Sequence, residues 1–90
     1  MIAFEVSVNG RRICIAALED GLLRFGVDYV TPNRAIEEED RLWMHVGGIS
    51  RRYEHRRWPV PSIGIGDEVT VRIIEADGPD RAPICEPYSA

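Results

Sequence analysis

Asn9 and Gly10 sit between two runs of alternating apolar and polar residues, an arrangement that leaves a chain few folding options. A type I′ turn needs positive φ at both central residues. Asn followed by Gly tolerates this best, and the turn's twist matches that of the strands it joins. Before the turn, Ile2, Phe4, Val6 and Val8 fall on one strand face, with Ala3, Glu5 and Ser7 on the other. After it, residues 11–18 return. A two-residue turn then sets the register, placing Val8 against Arg11, Val6 against Ile13, Phe4 against Ile15 and Ile2 against Ala17. On the opposite side Ser7 meets Arg12, Glu5 meets Cys14 and Ala3 meets Ala16.

The rest of the chain reads as further strands. Glu19, Asp20 and Gly21 compose a turn, and residues 22–31 alternate, with Leu23, Phe25, Val27 and Tyr29 on one face, until Pro32 stops them. Residues 33–40 lack helical apolar spacing and read as a loop with at most one helical turn. Their acidic run, Glu37 to Asp40, is a solvated charge cluster with no cation-loop spacing. Residues 41–46 form a fourth strand, Gly47, Gly48, Ile49 and Ser50 a turn, and residues 51–58 a fifth strand. Cross-strand charge matching favours Trp43 against Arg56, His45 against Glu54, and Arg41 against Trp58.

Two prolines at 59 and 61 prevent residues 58–62 from continuing a central strand, so the chain crosses there in extended form. Residues 68–76 carry apolar side chains on both faces, which predicts a central strand. Residues 77–90 hold Gly78, Pro79, Pro83 and Pro87 and read as an extended or disordered tail after a single β domain of residues 1–76. The expected fold is all-β, a small antiparallel β-sandwich or barrel of about six strands. A β-grasp-like α+β fold, with residues 32–40 as a helix, is the runner-up.

Ninety residues make one domain that buries about 60–65% of its unfolded surface, a thin margin that a partner or a second copy would widen. Fifteen acids against eleven bases give a net charge of −4, so the global electrostatic signature of a nucleic-acid binder is absent. The two cysteines match no zinc, redox or disulfide-scaffold spacing. No secretory-signal pattern opens the chain and no run of residues is apolar enough for a membrane span. The expectation is therefore a cytoplasmic location, reduced thiols and no membrane association.

Several stretches together resemble a group of small bacterial hypothetical proteins with no assigned activity. They are the Asn9-Gly10 hairpin, H-V-G-G-I at residues 45–49, Trp58-Pro59, and G-D-E-V-T-V-R-I-I-E-A-D at residues 66–77. The resemblance implies a bacterial origin and carries no chemistry.

Chemistry concentrates in residues 51–58, R-R-Y-E-H-R-R-W. No nucleophile there or elsewhere has an activating base at a recognisable spacing, no ligand set suggests a metal, and no glycine loop precedes a helix to cradle phosphate. No cofactor and no catalysis are expected. Arg, Tyr and Trp are enriched at interface hot spots, so Arg51, Arg52, Tyr53, Arg56 and Trp58 are the candidate binding residues of a non-enzymatic protein-interaction module, such as an adaptor, a regulator or an immunity-type binder. The alternative is a single-strand nucleic-acid binder, with Tyr53 and Trp58 stacking bases and arginines on phosphate. The acidic balance disfavours it. Open sheet edges would also permit a homodimer.

Overall fold

The structure, a computed structural model, describes residues 1–32 and 41–87. Seven strands run through them: β1 (Ile2–Val8), β2 (Arg11–Ala16), β3 (Gly21–Tyr29), β4 (Leu42–Ser50), β5 (Glu54–Arg57), β6 (Val69–Glu75) and β7 (Ile84–Pro87). They form two antiparallel sheets, β2-β1-β6 and β3-β4-β5-β7. The all-β expectation holds. Residues 33–40, read above as a loop or helical turn, lie outside the described residues.

The opening hairpin turns as its sequence dictates, with Asn9 at φ 53° and Gly10 at 80°. Its register starts as expected, Val8 against Arg11 and Ser7 against Arg12, and then shifts at a β-bulge. Ile13 is the extra residue, so Val6 pairs with Cys14, Glu5 with Ile15 and Phe4 with Ala16. The bulge reverses the face that β2 presents. Small Cys14 and Ala16, both fully buried, enter the same apolar cluster as Trp58, while Ile13 and Ile15 remain half-buried. A periodicity argument assigns the larger aliphatics inward, but the space taken by an indole favours the smaller pair.

Strand β3 presents the faces read from its alternation, and β4 follows it with Phe25 against Val46 and Val27 against Met44. The expected turn at residues 47–50 is instead strand. A Cβ on Gly48 would collide with the Leu22 carbonyl and one on Gly47 with the Arg56 carbonyl, so these glycines serve close backbone approach from both sides. Extending β4 moves the turn to residues 51–53 and pairs Gly47 with Arg57, Gly48 with Arg56 and Ile49 with His55. The expected Trp43–Arg56 and His45–Glu54 pairs do not form.

Two further strands depart from expectation. Residues 84–87 are a short strand on β5, where Arg57 Nε donates to Glu86 Oε1 at 2.8 Å. Three residues between Pro83 and Pro87 carry no readable periodicity. Strand β6, expected to be central, lies at a sheet edge because β1 takes the middle position. Its inward residues Val71 and Ile73 stay 38% and 71% exposed. The core itself is Val6, Cys14, Ala16, Met44, Val46 and Trp58, with Phe4, Val8, Leu23, Phe25 and Val69 among the half-buried residues packed on it.

Candidate functional site

The hairpin linking β4 to β5 has a three-residue loop. Tyr53 N–H donates to the Ser50 carbonyl at 2.9 Å, closing a turn over Arg51 and Arg52, and Tyr53 itself follows at φ 61°. A tight turn followed by a left-handed residue is the standard three-residue hairpin connection, in which the left-handed position ordinarily belongs to glycine. A bulky side chain there costs about 1–2 kcal/mol. Ser50 holds the loop in place, its hydroxyl accepting the Glu54 N–H at 3.2 Å. Tyr53 projects from the tip, 72% exposed.

Beside the tip is a cleft of about 450 Å³ lined by Leu18, Glu19, Asp20, Ser50, Arg51, Arg52 and Arg56. Arg51 is tied to the β2–β3 turn twice: its Nε lies 3.0 Å from Asp20 Oδ1, and its backbone N–H donates to the Asp20 carbonyl at 3.2 Å. Arg56 Nη2 donates to Glu54 Oε1 at 3.2 Å, while its buried Nε has no hydrogen-bond partner among the described residues. Arg52 makes no ion pair among the described residues. Glu19, Asp20 and Glu54 balance the guanidinium charges, so the cleft presents paired charge and directed donors without a strong positive field.

Arg51, Arg52 and Arg56 therefore converge, Tyr53 stands at their rim, and Trp58 lies elsewhere. Trp58 is 2% exposed in the core, its Nε1–H donating to the Arg81 carbonyl at 2.9 Å. Neither face of the indole is open for stacking, which corrects its reading as a binding residue. Leu18, Glu19 and Asp20 were missed because they lie more than thirty positions earlier in the sequence; only the β3–β4 pairing brings Asp20 beside Arg51. The acidic turn composition at Glu19 and Asp20 was the one available signal.

The other chemistry-bearing groups have structural surroundings. His45 Nε2 lies 3.1 Å from Asp28 Oδ2, and its ring covers Gly26, where a Cβ would collide with it. Cys14 is buried, and loss of solvation, reinforced by the Asp80 charge, pushes its thiol pKa above the ordinary value. Cys85 is exposed on β7. Among the described residues no three His, Cys, Asp or Glu side chains converge to hold a metal ion, and no helix is long and apolar enough to cross a membrane. Compared with known protein families, with curated proteins and with solved structures, the chain matches none.

Proposed function

We propose that this chain is a non-enzymatic protein-interaction module that engages its partner with Arg51, Arg52 and Tyr53 at the β4–β5 turn. The observation that carries this reading is Tyr53, a large aromatic displayed to solvent on a backbone conformation that favours glycine. Strain of this kind persists where a side chain is needed in place. An exposed tyrosine preceded by two arginines has the composition of an interface anchor. The adjoining cleft supplies a polar rim: Arg52 offers a guanidinium to a partner carboxylate, and the Asp20–Arg51 pair fixes the loop without a binding-time ordering cost. Burial of Trp58 removes the second stacking platform that a single-strand nucleic-acid reading requires.

The test is affinity capture from the source cells with wild-type protein, Tyr53→Gly and an Arg51→Ala/Arg52→Ala double variant. The wild type should retain a specific protein that both variants release, with Tyr53→Gly folded at least as stably as the parent. Equal recovery by all three proteins overturns the reading. Recovery of nucleic acid in place of protein would favour the alternative.

A further inference from the structure

We propose that two copies of this chain join antiparallel along the outer edges of their β3 strands, about a two-fold axis at Gly26, making one continuous sheet. The four sheet edges are unequal. The β2 edge is occupied, since Asp80 Oδ1 accepts the Ile15 N–H at 2.9 Å and the Asp80 N–H donates to the Ile15 carbonyl at 3.2 Å. The β7 edge is four residues long, follows Pro83 and ends at Pro87. Among the described residues, strands β6 and β3 carry no such protection. At nine residues β3 is long, free of proline and bulges, and free of inward-pointing charge, the devices by which edges avoid pairing.

The unpaired backbone groups of β3 belong to its inward-facing residues. Val30 N–H donates to the Arg41 carbonyl and the Asp20 carbonyl accepts from Arg51, so the even-numbered positions bond β4. By alternation Leu23, Phe25, Val27 and Tyr29 direct their N–H and C=O groups to the open edge. Their side chains point to the core face, yet Val27 and Tyr29 remain 46% and 59% exposed. Beside them runs an open cleft of about 330 Å³ lined by Phe4, Leu23, Arg24, Phe25, Val71 and Ile73. A two-fold axis perpendicular to the sheet keeps both copies of this apolar strip on the same face.

Charge selects the register. Centred on Gly26, the pairing sets Phe25 of one copy opposite Val27 of the other, Leu23 opposite Tyr29, and Arg24 opposite Asp28. The last match occurs twice by symmetry; Arg24 makes no ion pair among the described residues, and Asp28, 3.1 Å from His45 Nε2 of its own copy, would share its carboxylate between the two. Every inward pair is apolar and every charged pair on the outer face is of opposite sign, the combination that stabilises a cross-strand ladder. Gly26 adds no side chain at the axis.

Sedimentation equilibrium on the full chain, with circular dichroism to confirm folding, tests the proposal. Wild type should be a concentration-dependent dimer. Arg24→Asp should raise the dimer dissociation constant by roughly tenfold or more, as should Asp28→Arg, and the Arg24→Asp/Asp28→Arg double variant should restore it. Arg24 and Asp28 lie four positions apart on one extended strand, so restoration reports contact between copies. Val27→Lys, at a position 46% exposed in the single copy, should also give a monomer that circular dichroism shows to be folded. A monomeric wild type at the highest soluble concentration would overturn the proposal and leave the strip to a different protein. A dimer unaffected by Arg24→Asp and Val27→Lys would overturn it equally.

Discussion

Trp58 and Tyr53 are five positions apart and occupy opposite extremes of environment. Trp58 fills the centre of the core, so Trp58→Ala should cost about 3–5 kcal/mol, a large share of the stability of so small a domain, seen as a lower urea midpoint. Tyr53→Gly should do the reverse. Relief of about 1–2 kcal/mol of left-handed strain, less about 0.4–1 kcal/mol for the freer unfolded chain, leaves a gain near 0.5–1 kcal/mol. That gain corresponds to a Tm roughly 2–8 °C higher by calorimetry. The cysteines separate in the same way. Exposed Cys85 should react at once with a thiol reagent, and buried Cys14 only as fast as the chain opens. Because burial raises the Cys14 pKa above 9.0, the unfolded chain ionises before the folded one. The thiol's contribution to stability is therefore complete below 9.0 and is lost as pH rises from there through the raised folded value, a loss that Cys14→Ala should abolish.

At the scale of elements, what was legible depended on how local its cause is. Asn9-Gly10 sets its own dihedrals, and β1 to β4 announce themselves by alternation, because each signal resides in the residues that form the element. Registers set by distant partners were not legible. The bulge at Ile13 answers to Trp58, forty-five positions away, and the close approach that Gly47 and Gly48 permit reads in sequence exactly as a turn would. The candidate site shares this division: Arg51, Arg52 and Tyr53 stand out as a cluster, whereas Asp20 joins them through sheet pairing alone. A second turn carries its own prediction. Gly66 at φ 94° closes residues 64–67, where Asp67 accepts the Gly64 N–H at 2.7 Å and the Asn9 side-chain amide at 3.0 Å, locking the first hairpin to the entry of β6. The Asn9 bond, with the Gly64 bond second, lowers the Asp67 pKa below its usual 3.8. The resulting stability is present above the ordinary carboxylate range and lost as pH falls through the depressed value. The difference in urea midpoint between wild type and Asp67→Ala should hold steady near neutrality and shrink in acid below pH 3.8.

Across the described residues, the edge covered by Asp80 and the short proline-bounded edge of β7 contrast with the uncovered edges of β3 and β6, which leave one side of the molecule for association. The turn bearing Tyr53 is anchored through Asp20 to the residue preceding β3, so the position of one fixes the position of the other. If β3 strands join antiparallel at Gly26, their first residues lie at opposite ends of the shared ladder, about ten residues or roughly 30–35 Å apart along it. The assembled pair would then be bivalent, with two tyrosine tips held at a fixed spacing by the sheet and not by a flexible linker. A partner that is itself repeated or dimeric at a matching spacing would gain avidity of about 10²–10⁴ over a single contact, and one with the wrong spacing would gain none. The Asp20–Arg51 contact, modest as a surface ion pair, would in that setting act as the gauge that decides which assemblies are held.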